Sequence, residues 1–149
     1  VSGFGSKATE LAARIGDGYC TVGPDAESVQ LYRSKAKNGS VVQGGMKVCW
    51  DADEVRARKT VHRLWPNEAL PGELAQVLPT PEHFQQASEL VTEEMVADEV
   101  PCGPDVDRHV AAIKEYADAG FDELYINQIG PKQDAFFAAY RDEVLPRVR

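Results

Sequence analysis

Positive charge is the scarcer kind in this chain: 16 Lys and Arg stand against 24 Asp and Glu over 149 residues, a net charge of −8. A surface of that sign repels phosphate backbones, so no nucleic-acid partner is expected. Long apolar runs are also missing. No stretch of about 18 apolar residues occurs, so no membrane-spanning helix and no membrane partner are expected. Cysteine is sparse: Cys20, Cys49 and Cys102 form no C-x-x-C pattern. They read as reduced, partly buried thiols in a cytoplasmic protein. His62, His83 and His109 are equally scattered, so no metal site is expected. The opening Val1-Ser2-Gly3-Phe4-Gly5 has neither a basic region nor an apolar stretch. No secretory signal is therefore expected, and the lack of a Met or lead-in reads as a start inside an element.

What is present supports a folded domain. Hydrophobic residues make up 43% of the chain, enough for a core, and charged residues 27%, enough for a hydrated surface. Periodicity alternates between strand and helix. Residues 1–2, 19–22, 46–50 and 123–129 read as strands. Ala8, Leu11, Ala12 and Ile15 fall at i, i+3, i+4 and i+7, which predicts a helix over 7–15 with that face buried and Ser6 as its cap. Further helices are expected over 25–36, 51–64 (Val55, Val61 and Leu64 inward), 104–119 (Val106, Val110, Ile113 and Ala117 inward) and 132–145 (Phe136, Phe137, Tyr140 and Val144 inward). Residues 65–100 form an irregular insertion, with one helical turn near Glu73 and short helices starting at Thr80-Pro81 and Thr92-Glu93-Glu94. Four strands, each followed by helix, predict an α/β chain of four parallel βα units, half of a (β/α)8 barrel.

The first turn has chemistry of its own. A glycine turn that leaves a strand and opens a helix presents unpaired backbone N–H groups and the positive end of the helix dipole, which suit a phosphate. An ordinary strand–helix connection needs a glycine as well, so both readings stand on the residues alone.

The run from Val1 through Gly3-Phe4-Gly5-Ser6-Lys7-Ala8 to Ile15-Gly16-Asp17-Gly18-Tyr19 resembles a recurrent stretch of the luciferase-like oxidoreductases. Ala117-Asp118-Ala119-Gly120-Phe121-Asp122-Glu123-Leu124-Tyr125 resembles that family's last helix-to-strand link, and Phe136-Phe137 with Tyr140 to Arg147 its closing helix. Leu64-Trp65-Pro66 and Pro79-Thr80-Pro81 resemble the subgroup related to glucose-6-phosphate dehydrogenases dependent on the deazaflavin coenzyme F420. The resemblance spans residues 1–149 and implies the C-terminal half of a luciferase-like TIM barrel. It implies a coenzyme F420-dependent oxidoreductase that passes hydride between a small-molecule substrate and the cofactor. This half would supply the cofactor-phosphate cradle at Phe4, Gly5, Lys7 and Ala8. Lys7 adds a cation there or is simply a solvated surface residue.

In the subgroup, a threonine and three cations bind the sugar phosphate. By ungapped comparison those positions are Val22, Asp25, Ala75 and Glu99 here, with no cation among them. The expectation is a substrate pocket that does not favour glucose 6-phosphate. The family's catalytic His and Glu and its pocket-shaping Trp belong to the N-terminal half, so the isolated chain is expected to be inactive, with the missing half, or further copies of itself, as partner. Trp50, Asn127 and Gln128 lie at strand ends and read as pocket-lining or as packing residues. The acidic run 93–99 reads as a solvated helix face. Two rival readings remain: an FMN-dependent luciferase-like monooxygenase, for which the same cradle would serve, and a non-catalytic truncated remnant.

Overall fold

The structure, a computed structural model, describes residues 1–148. Element order is α1 (Ser6–Ile15), β1 (Gly18–Val22), α2 (Ala26–Lys35), β2 (Val41–Val48), α3 (Glu54–Leu64), a 3-10 turn (Pro66–Ala69), α4 (Leu74–Val77), α5 (Pro81–Ser88), α6 (Glu93–Glu99), α7 (Val106–Asp118), β3 (Glu123–Gln128) and α8 (Gln133–Ala139). A π-helical segment, Tyr140–Val144, and a 3-10 turn, Leu145–Arg147, close the described chain. The fold is α/β with one parallel sheet in the order β1-β2-β3. β1 and β2 pair in register from Gly18↔Val41 to Val22↔Gly45.

Among the described residues there are three strands where four were expected. Residues 1–2 make only an isolated parallel bridge, Ser2↔Cys20. The pairing stops there because the chain leaves the strand line at Gly3, whose carbonyl accepts a hydrogen bond from Tyr19 Oη at 2.9 Å. The strand expected over 46–50 instead occupies Val41–Val48. Gly44 and Gly45 conceal its first half, since glycine weakens a strand unless another group needs its space. Here a Cβ on Gly44 would stand 2.7 Å from Tyr116, and one on Gly45 2.2 Å from Tyr125. The aromatic rings occupy the room that the missing side chains leave.

The chain divides into two compact units, and the division falls within β2 and β3. Unit 1 holds Val1–Met46 and Val110–Asn127; unit 2 holds Lys47–His109 and Gln128–Arg147. Unit 1 buries Ala12, Ala13, Tyr19, Val29, Tyr32 and Val42, with Tyr19 and Tyr32 stacked at 5.0 Å. Unit 2 buries Cys49, Ala57, Val61, Leu70, Val91, Val96, Val100, Cys102 and Ile129. A fully buried valine in either cluster contributes about 1.5–3 kcal/mol.

Helix starts follow local chemistry. Asp25, Asp53, Thr80 and Thr92 each cap their helix by accepting a backbone N–H. Each such cap is worth about 1 kcal/mol. The excursion over 65–100 is therefore largely helical. Ser6 does not cap α1; the cap position is Gly5, at φ 79°, ψ 159°, with no side-chain hydrogen bond. That backbone region is essentially reserved for glycine, which moves the boundary one residue earlier.

Several residues expected inside are outside. On α1 the buried positions are Thr9, Ala12 and Ala13, while Leu11 and Ile15 are 43% and 62% exposed. Val55, Leu64 and Phe137 are exposed as well, and Ala117 lies on the open side of α7, in which Val110 is buried as expected and His109 and Tyr116 are buried with it. Periodicity identifies an apolar face, but the neighbour that covers it is a tertiary matter.

Candidate functional site

The turn that leads into α1 lies wholly in unit 1. Its first intrahelical bond runs from Thr9 N–H to the Gly5 carbonyl at 3.1 Å. The N–H groups of the first turn precede that bond, and no side chain caps them. The site where a Cβ of Gly5 would sit has nothing within 4 Å, so the approach to the backbone is open. Phe4 is half exposed, Lys7 is exposed, and Ala8 is partly buried with its Cβ 2.9 Å from the site of a Gly3 Cβ. An uncapped helix N-terminus reached through glycine is the arrangement that holds an anion by backbone donors. These residues fit a phosphate.

Two buried hydroxyls support this turn, and sequence reasoning missed both. Thr9, fully buried, donates from Oγ1 to the Gly5 carbonyl at 3.1 Å. Tyr19, on β1, donates from Oη to the Gly3 carbonyl at 2.9 Å. The two oxygens lie 3.2 Å apart. Thr9 makes a local bond to a carbonyl four residues back, whereas Tyr19 reaches one 16 residues away, which no local pattern marks.

The four substrate-pocket positions are divided between the units. In unit 1, Val22 ends β1, exposed, and Asp25 caps α2. Asp25 Oδ1 accepts from the N–H groups of Glu27 and Ser28 at 3.0 and 3.3 Å, and Oδ2 from the Ser28 hydroxyl. Those hydrogen bonds, the Ser28 hydroxyl foremost, hold its carboxyl below the usual range. The α2 N-terminus is thus already neutralised by its own carboxylate and offers an anion nothing. In unit 2, Ala75 sits exposed on α4 and Glu99, also exposed, ends α6.

Within unit 2 the end of β2 is tightly organised. Cys49 forms a parallel bridge to Cys102. Burial pushes the two thiols up, to about 12 and about 11. They are structural, and with Cys20 they are free cysteines. Trp50 is half-buried and its backbone is held by Gln128, which is buried; Asn127 is exposed. Asp51 is buried and paired with Arg56, which lowers its carboxyl pKa. Among the described residues no group of three or more His, Cys, Asp or Glu is placed to hold a metal, and no helix is long and apolar enough to cross a membrane. Unit 2 also has a cleft of about 890 Å3 lined by Trp65, Pro66, Leu78, Pro79, Pro81 and Phe84 among others. Trp65-Pro66 and Pro79-Thr80-Pro81, from two separate stretches of the sequence, meet on this cleft.

Parallel βα units with a glycine turn feeding an uncapped helix define an α/β protein of the kind that binds ligands at strand-to-helix turns. The chain belongs to the luciferase-like monooxygenase family, whose profile matches residues 1–123. Among curated relatives, the F420-dependent glucose-6-phosphate dehydrogenase of Nakamurella multipartita is 32% identical over 163 residues, covering 100% of this chain and 47% of the relative. That of Beutenbergia cavernae is 31% identical, covering 100% and 48%. The chain thus spans about half the length of the curated relatives it matches. In fold it is similar to an F420-dependent secondary alcohol dehydrogenase solved with an F420-acetone adduct, at TM-score 0.79 and 19% identity over 99% of this chain and 48% of that one. It is also similar to the coenzyme F420-dependent tetrahydromethanopterin reductase of Methanopyrus kandleri, at TM-score 0.67 and 17% identity over 99% and 50%.

Proposed function

We propose that this chain is the C-terminal half of a (β/α)8-barrel oxidoreductase dependent on coenzyme F420, and that it holds the cofactor's phosphate. The observation that carries the reading is the open N-terminus of α1 behind Gly5, which no side chain caps, whereas α2 is capped by Asp25. The F420 dependence named for the relatives supports the choice of cofactor.

Backbone donors at Phe4, Gly5, Lys7 and Ala8 would hold the phosphate, with the helix dipole and the Lys7 ammonium adding positive potential. When bound, the deazaflavin supplies hydride transfer. This chain's own contribution is to fix the cofactor by its phosphate. The proton donor and acceptor belong to the other half, so the isolated chain has no oxidoreductase activity.

Fluorescence titration of the complete enzyme with F420 and with FMN tests the reading. Tight, saturable binding of F420, with FMN binding more weakly, is the expected result. Preference for FMN would favour the second reading, a luciferase-like monooxygenase, which the family assignment itself keeps open.

A further inference from the structure

We propose that Tyr19 and Thr9 are positioning residues that aim two backbone N–H groups of the α1 turn at the bound phosphate. The inference rests on the phosphate-cradle reading above.

The argument comes from peptide geometry. Among the described residues no peptide bond is cis. In a planar trans peptide the C=O and the following N–H point in opposite directions. A hydrogen bond that ties a carbonyl inward therefore turns the next N–H outward. Tyr19 Oη ties down the Gly3 carbonyl, which orients the Phe4 N–H away from the core. Thr9 ties down the Gly5 carbonyl twice, through Oγ1 and through its own N–H, both at 3.1 Å, which orients the Ser6 N–H out of the helix start. Glycine at positions 3 and 5 would otherwise leave these peptide planes the freest in the segment.

Both hydroxyls are held rigidly. Thr9 is 0% and Tyr19 2% exposed, and the Tyr19 ring is stacked on Tyr32. The carbonyl oxygens, which would repel an anion, are held on the buried side. The donors stay on the open side without any positively charged side chain having to reach them. This suits a chain whose net charge is −8.

The test uses the 15N-labelled chain and inorganic phosphate, with amide shifts and a urea melt as readouts. In the parent, phosphate is expected to shift the amides of Phe4 and Ser6. Tyr19→Phe keeps the ring and its stacking, and Thr9→Val keeps the shape; each is expected to weaken phosphate binding about three- to tenfold. Thr9→Ser restores the hydroxyl and is expected to bind like the parent, which separates aiming from packing. Parent-like binding by both Tyr19→Phe and Thr9→Val overturns the latch while the cradle stands. Phosphate shifts in the parent confined to amides outside residues 4–8, or no shift at all, overturn the cradle and the latch with it. Should Thr9→Val fail to fold, Tyr19→Phe against Thr9→Ser gives the same decision.

Discussion

Gln128 and Trp50 are joined by a reciprocal pair of hydrogen bonds: the Trp50 N–H donates to Gln128 Oε1 at 2.8 Å, and Gln128 Nε2 donates to the Trp50 carbonyl at 2.9 Å. A side-chain amide thus takes the place of a further strand residue just beyond the end of β2. Gln128→Leu would leave both backbone groups without their partner. A loss of about 1–3 kcal/mol in urea unfolding is expected. Trp50 fluorescence, read with Trp65 replaced by Phe, should shift before global unfolding. Unchanged stability would show that water replaces the amide at no cost.

His109 is fully buried, with Nε2 3.0 Å from the Gly103 carbonyl and Nδ1 2.8 Å from Tyr140 Oη. The carbonyl can only accept, so Nε2 carries the proton and Nδ1 accepts from the tyrosine. Burial, the largest influence, lowers the His109 pKa below its ordinary 6.5; the Gly103 hydrogen bond and Asp105 oppose it, and Arg108 adds to it. A lowered histidine pKa means that the unfolded chain takes up the proton first. Stability from this group is full above pH 6.5, declines as pH falls from there to the folded value, and then levels. Urea melts between neutral pH and about pH 5 should show that decline. His109→Gln, which retains a donor and an acceptor, should flatten it; an equally steep slope in that variant would place the titrating group elsewhere.

Gly5→Val separates conformation from collision. Nothing lies within 4 Å of the site of its Cβ, so the cost comes from φ 79° alone. A penalty of about 1–3 kcal/mol is expected, with a cooperative melt retained. Phosphate binding should fall sharply, because the side chain would stand in the anion's approach. A variant that binds phosphate like the parent would remove Gly5 from the site.

Glucose 6-phosphate should be a poor substrate of the complete enzyme. Val22, Ala75 and Glu99 offer no cation, and Asp25 is committed to its own helix. Each missing charge-assisted bond forfeits about 1.5–3 kcal/mol, so kcat/KM should lie at least on the order of 100-fold below that of the Nakamurella multipartita relative. Comparable turnover by the two enzymes would mean that the phosphate is bound by other residues.

What the sequence made legible was local. Thr80 and Thr92 announce helix starts because the cap and the donor it serves are neighbours in sequence. The glycine turn of residues 3–5 is equally local and was readable as a phosphate candidate. The first half of β2 was hidden because the rings that fill the space at Gly44 and Gly45 come from Tyr116 and Tyr125, about 70 to 80 residues away. Thr9 and Tyr19 were invisible as a pair for the same reason: they meet only after α1 has folded back beside β1. Leu11 and Ile15 showed a real apolar stripe, yet the buried stripe runs through Thr9, Ala12 and Ala13. Hydrophobic spacing is a property of one helix, whereas burial depends on what lies beside it.

Cys49 donates its N–H to the Pro101 carbonyl at 2.9 Å and accepts at its own carbonyl from the Gly103 N–H at 3.0 Å. The chain that departs after Cys49 therefore comes back to dock on the residue it left. The stretch between, with α3 to α6 and the cleft walled by Trp65 and Phe84, is closed at its two ends by this rung and is tied further by Lys47 to Glu68 and by Arg108 to the Val100 carbonyl. Because its two ends meet at one rung, a change of length at an exposed bend of the detour need not shift the register of β2. Among related chains, diversity in length and composition should therefore accumulate in this detour more than in the strand that it leaves.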